Sequence, residues 1–293
     1  MDVTIAYPAQ AALGECPLWC PETRRLYWVD IEAPSINCLN PESGENDILP
    51  MDENVGCIGL REGGGFIAGL RSGLWLLDAR GGKERLIANP QDDSRISRFN
   101  DGRVDPWGRF WAGTIHEPRD RPAAALYRVD AALDCARMAG DIKVSNGLGF
   151  SPDRRWMYHS DTPAHVIYRY PLDPQSGEIG AREVFRPFPA GKGRPDGAAV
   201  DAEGFYWSAL YEGGRVVRIS PQGEIVAEHP VPARCPTMCA LGGPDLRTLY
   251  ITSARHGRDA RELADWPHSG DIFALRVDVP GQPEPRFIEE AGP

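Results

Sequence analysis

Four polar side chains along this sequence could act together on one ion: Glu15 in GECPLW, Asn100 in RFNDG, Asn146 in SNGLGF and Asp196 in PDGAAV. Carboxylates and carboxamides offer hard oxygen donors, which suit calcium, magnesium or manganese with water completing the shell, and zinc or ferrous iron as further options. Taken singly, an Asn or Asp ahead of glycine is as readily a turn former, as Asn146-Gly147 and Asp196-Gly197 illustrate. A buried carboxylate costs free energy unless it is paired or binds a cation, so what matters is whether these four residues point to one place.

The elements that would bring them together are visible as a repeat. A short apolar stretch, a turn, an aromatic strand and a second strand recur as GECPLWCPETRRLYWVD from Gly14, VGCIGLREGGGFIAGL from Val55, FNDGRVDPWGRFWAGT from Phe99 and SNGLGFSPDRRWMYHSD from Ser145. Two further copies are PDGAAVDAEGFYWSAL from Pro195 and TMCALGGPDLRTLYITSA from Thr237. Taking Leu26, Phe66, Phe110, Trp156, Phe205 and Leu249 as equivalent gives steps of 40, 44, 46, 49 and 44 residues. Turn signals such as PETR, EGGG, DPWG and DAEG split each unit into a hairpin, and a second hairpin follows in most copies, as in SGLWLLDARGGKERLI. Six units of about four strands predict an all-β fold, a six-bladed β-propeller with four-stranded blades and a central-channel metal site, built as one domain over residues 1–293. The alternating segment Asp2 to Tyr7 precedes the first unit and is expected to complete the last blade, because an open ring leaves exposed sheet edges. Only ARELADWPH near residue 260 hints at a helix.

About ten residues before each marker the chain reaches the start of its blade's innermost strand. Glu15, Asn100, Asn146 and Asp196 fill that position in blades one, three, four and five, Gly56 fills it in blade two, and Thr237 lies near it in blade six. The repeat therefore sets two carboxylates and two carboxamides at one level of one channel.

Bulk properties narrow the partners. A formal charge of −10 disfavours nucleic acid and anionic membrane surfaces, leaving small neutral or cationic ligands open. The start MDVTIAYPAQ has no signal-peptide character and no run of 18 apolar residues follows, so the expectation is a soluble, cytoplasmic protein. Seven cysteines, including the pairs Cys16/Cys20 and Cys235/Cys239, read as reduced and mostly buried thiols rather than a disulfide framework or a zinc site. No G-x-S-x-G elbow is present.

GECPLW at 14 to 19, RFNDGRVDPWGRFWAGT at 98 to 114, SNGLGFSPD at 145 to 153, PDGAAVD at 195 to 201 and GGPDLRTLYITSA at 242 to 254 together resemble the SMP-30/gluconolactonase/luciferin-regenerating family over essentially the whole chain. That resemblance implies one divalent ion (Ca2+, Zn2+, Mn2+ or Fe2+) on Glu15, Asn146 and Asp196, with Arg98 and Asn100 touching substrate and Asn100 able to approach the metal. It also implies metal-dependent hydrolysis of an aldonolactone, such as glucono-, xylono- or arabinonolactone, to the aldonic acid in sugar catabolism, with Asp196 as the base. One departure concerns substrate hydroxyls. Many members carry an acidic residue soon after AGT, but here Pro118 occupies the matching site and Glu117 lies one residue early, so Glu117 and His116 are the candidates. The loop SARHGRDARE from Ser253 could overhang the channel mouth. Two other functions fit the same scaffold: a non-catalytic propeller whose metal staples the axis, and an esterase or phosphotriesterase.

Overall fold

In the computed structural model, which describes residues 2–290, six four-stranded antiparallel sheets follow one another around a ring. Their innermost strands are Gly14–Cys20, Val55–Leu60, Ser97–Val104, Ser145–Phe150, Arg194–Val200 and Pro236–Gly242, and each packs against the innermost strand of the next blade. Burial falls outward. Gly14–Cys20 is buried throughout, whereas the outermost strand of the fifth blade, Ile225–Pro230, alternates half-buried and exposed residues. The hydrophobic clusters lie between faces of adjacent sheets, where Trp111, Tyr206, Phe110 and Leu26 are fully buried.

The N-terminal strand Thr4–Tyr7 closes the ring as expected. It pairs antiparallel with Ile272–Arg276 and forms the fourth strand of a sheet otherwise made at the end of the chain, with Thr4 opposite Ala274 and Ile5 opposite Phe273.

The turn after the innermost strand is held by a recurring device. Asp105 accepts the backbone N–H groups of Trp107 and Arg109, the Trp111 indole at 2.9 Å and the Arg109 guanidinium at 2.6 Å. Asp201 does the same in blade five, taking Glu203 and Phe205 N–H, the Trp207 indole and Arg218. One buried carboxylate thus fixes the turn and the next strand's tryptophan together. Two of the six aromatic markers need correction. The buried counterparts of Leu26 are Met157 and Tyr206, one residue beyond Trp156 and Phe205, which begin or precede their strands half-buried at the sheet's end.

The segment 277–290 crosses these turns at the far end of the channel. Phe287 is fully buried and its N–H donates to Leu60, Ile288 N–H donates to Gly108, and Arg103 meets Glu284 at 2.6 Å. The helix hinted at near 260 is Ala260–Asp265, capped by Asp259. All seven cysteines are free, five of them buried. No helix among the described residues is long and apolar enough to cross a membrane.

Candidate functional site

Every innermost strand breaks register at the same place. The breaks fall between Glu15 and Leu18, Val55 and Cys57, Phe99 and Gly102, Asn146 and Gly149, Pro195 and Ala198, and Pro236 and Cys239. Bulges of this kind re-aim side chains, and here they turn the polar residue of each blade toward the axis. Gly147 shows the local demand: its φ is +63°, and a Cβ there would meet the Ser160 and Tyr206 oxygens at 2.3 and 2.4 Å. In blade two the position is glycine because the neighbouring strand occupies the space, with Phe99 O only 2.2 Å from where a Gly56 Cβ would stand.

The strands are then pinned from the loop side. Asp30 receives the N–H groups of Ala12 and Leu13 just before Glu15, and Asp161 receives those of Lys143 and Val144 just before Asn146. Glu15, Asn100, Asn146 and Asp196 consequently line one cavity of about 220 Å³, joined by Arg98 and Glu117. Six of the seven candidate side chains named from the sequence share this space, and His116 does not.

A chain of hydrogen bonds orders the wall. Arg98 Nη1 donates to Asn100 Oδ1 at 2.8 Å, Asn100 Nδ2 donates to Asn146 Oδ1 at 2.8 Å and to Ser145 O, and Asn146 Nδ2 donates to Thr162 Oγ1 at 2.8 Å. Thr162 in turn donates to Pro195 O, next to Asp196. Asn100 therefore spends both amide protons on the protein, while Arg98 Nε is buried without a hydrogen-bond partner. Glu117 reaches the cavity but is held by Arg71 through bonds of 2.7 and 3.0 Å, which lower its pKa from the usual carboxylate value. His116 points elsewhere, paired with Asp120 at 2.8 Å, and Pro118 is exposed. From the loop after Ser253, His256 lines the cavity.

Electrostatically the axis is under load. Burial, then repulsion from Asp196 and Asp101, pushes the Glu15 carboxyl well above its ordinary range. Asp196 is raised likewise by burial and by Asp101. Asp101 is a third axial carboxylate, raised to about 6 by burial, with one oxygen bonded to Leu148 N–H and the other without a partner. The sequence analysis did not single out Asp101, Thr162, Arg119, Arg194 or Tyr211. Asp101 follows Asn100 directly; Thr162 and Arg119 lie between second and third strands, where the repeat sets no position, whereas Arg194 opens an inner strand at the place Arg98 holds in blade three and Tyr211 ends a second strand.

The donor set fits a hard divalent cation. Glu15, Asn146 and Asp196 supply oxygen ligands only, and two buried carboxylates crowded together are relieved by a positive charge. Among the described residues no three His, Cys, Asp or Glu side chains form a metal cluster, and the third donor of this set is a carboxamide.

The family model described as SMP-30/Gluconolactonase/LRE-like region matches residues 13–255. The chain belongs to this family. Members similar to it include the 6-deoxy-6-sulfogluconolactonase of Pseudomonas putida, 58% identical over 279 residues that cover 94% of this chain and 95% of that protein. The pentonolactonase of Haloferax volcanii is 34% identical over 291 residues, covering 97% of each. Among solved structures, the calcium-binding protein regucalcin of Agrobacterium tumefaciens superposes with a TM-score of 0.92 at 30% identity, covering 97% of this chain and 96% of that one. For an SMP-30/gluconolactonase propeller, the cavity lies where the loops joining second to third strands, and fourth to next first strands, converge.

Proposed function

We propose that this sugar lactonase hydrolyses an aldonolactone in a metal-dependent reaction, with Glu15, Asn146 and Asp196 holding one divalent ion. The observation that supports it best is the pairing of Glu15 and Asp196, two buried carboxylates of raised pKa, with the Asn146 carboxamide in one cavity. When bound, such an ion supplies Lewis-acid polarisation of an ester carbonyl and lowers the pKa of water. The remaining work falls to the protein. Arg98, whose Nε lies 3.6 Å from Glu117, supplies guanidinium charge for a substrate oxygen, and its Nη1 keeps Asn100 oriented. Asn100 acts through its carbonyl and its hold on Asn146, since its own protons are committed. Asp196 takes the proton of the attacking water and passes it to the ring oxygen as the acyl C–O bond breaks, so that oxygen leaves as the alcohol of the aldonic acid.

The relatives support the choice of substrates to test. Those named for sugar lactones span five- and six-carbon sugars, and the 58% identical one is named for a lactone sulfonated at carbon six. Glucono-, xylono- and arabinonolactone and the sulfonated hexonolactone form the substrate panel. Asp196→Asn keeps the volume of the side chain and removes the base. Its lactone turnover, followed by acid release, should drop about 100-fold or more; turnover near that of the parent protein would eliminate Asp196 as the base.

A further inference from the structure

Part of the cavity mouth is crowded with guanidinium groups, in a chain whose formal charge is −10. On one side the account balances: Glu117 is bonded to Arg71, and Glu117 and Glu32 both face Arg98. Opposite them it does not. Arg194 and Arg258 share the single carboxylate of Glu212, at 2.7 and 2.9 Å, and Arg258 reaches Glu262 only at 3.6 Å, where Arg234 also lies. The Nε–H of Arg194 is buried and bonds to nothing. Arg119, which also lines the cavity, makes no ion pair among the described residues.

Arg119 is held at this place by its backbone. Its φ is 56°, a left-handed conformation uncommon for a residue with a side chain, and its N–H donates to His116 O at 2.9 Å. The His116–Asp120 contact ties the same short loop from the other side. Strain of this kind, on a loop over a cavity, is a pointer to function when the side chain it positions has no partner of its own. Arg194 approaches from the strand that carries Asp196, stacked over Tyr211 at 5.2 Å. Two guanidiniums from blades three and five thus flank the proposed base. They lie at the mouth, away from the buried axis.

We infer that Arg119 and Arg194 form a clamp for an anionic group at the end of the substrate remote from its lactone carbonyl, so that the substrate class is an acidic sugar lactone. Sulfonate, phosphate and carboxylate share the required chemistry, several oxygens facing forked N–H donors, and arginine matches it in two-point fashion. This inference rests on the lactonase reading, because it places the carbonyl over Asp196 and the anion beyond it. A neutral lactone would leave the buried Arg194 Nε–H without an acceptor, which selects against such analogues, while the exposed Arg119 guanidinium adds charge attraction for an anion.

The test compares kcat/KM of the metal-loaded full chain for gluconolactone, its 6-sulfonate and its 6-phosphate. The anionic lactones should be preferred about tenfold or more, and Arg119→Ala and Arg194→Ala should each cut that preference about tenfold, chiefly through KM. Arg119→Lys should recover part of it. Raised salt should weaken the preference in the parent protein. A parent enzyme that turns over neutral and anionic lactones alike, or variants that keep the preference, would overturn the clamp while leaving the lactonase standing. If no lactone is turned over, the lactonase reading itself fails, and titration calorimetry with 6-sulfogluconate decides the clamp separately: binding that Arg119→Ala does not weaken sinks it.

Discussion

Glu15, Asp101 and Asp196 are buried carboxylates close enough to repel one another, and what each does depends on whether a cation is there. Without one, their carboxyls hold protons more tightly folded than unfolded, Asp101 up to about 6 through burial and the other two raised as well, because burial and repulsion between carboxylates penalise the charge. A folded-state pKa above the unfolded value stabilises at low pH, and that contribution is lost as pH rises through the folded pKa. The metal-free protein should therefore melt at a higher temperature at pH 5 than at pH 8. A divalent ion, competing with those protons, should raise the melting point more at pH 8 than at pH 5. Melting curves of chelated and reloaded protein check this; a metal-free Tm that climbs from pH 5 to pH 8 contradicts the crowding. At this scale the candidate residues were legible because each occupies the same place in a repeat. The hydrogen-bonding roles of Asn100 and Arg98 were not, since they depend on which protons the wall consumes.

Each blade's innermost strand carries a bulge, and the bulge converts a repeat position into an inward direction. The strand count and the closing strand could be read from alternation and turn residues. The bulges could not, because Asn-Gly and Asp-Gly look the same in a tight turn as in a register break. Nor could the one-residue shift to Met157 and Tyr206, where an exposed-end aromatic outranks the buried residue in a pattern search. Closure makes its own prediction. Deleting residues 1 to 8 removes Thr4–Tyr7 from the edge of the last blade and bares Ile272–Arg276. Several ladder bonds at about 1 kcal/mol each correspond to a Tm lower by roughly 5 to 10 °C. Calorimetry showing an unchanged Tm would mean the ring closes without that strand.

Across the molecule, the two ends of the channel have separate jobs. Segment 277–290 lies across the far end, with Arg103 and Glu284 paired there and Phe287 buried in the core of the first blades. The near end gathers loops from every side, and these carry the cavity. Evenly spaced hairpins announced the ring, but the tail and the loop cations belong to no repeat, and so left no periodic trace in the sequence. The division explains how one scaffold can keep its axial oxygen donors while loops around them set which lactone enters. Stripping the protein with a chelator and restoring calcium, manganese, zinc or ferrous iron one at a time, while following acid release from the lactone panel, tests metal-dependent hydrolysis at this channel most directly. The expected result is loss of turnover on chelation, recovery with at least one ion, and no recovery in Asp196→Asn. Undiminished hydrolysis by the stripped protein, or recovery in Asp196→Asn equal to that of the parent, would contradict it.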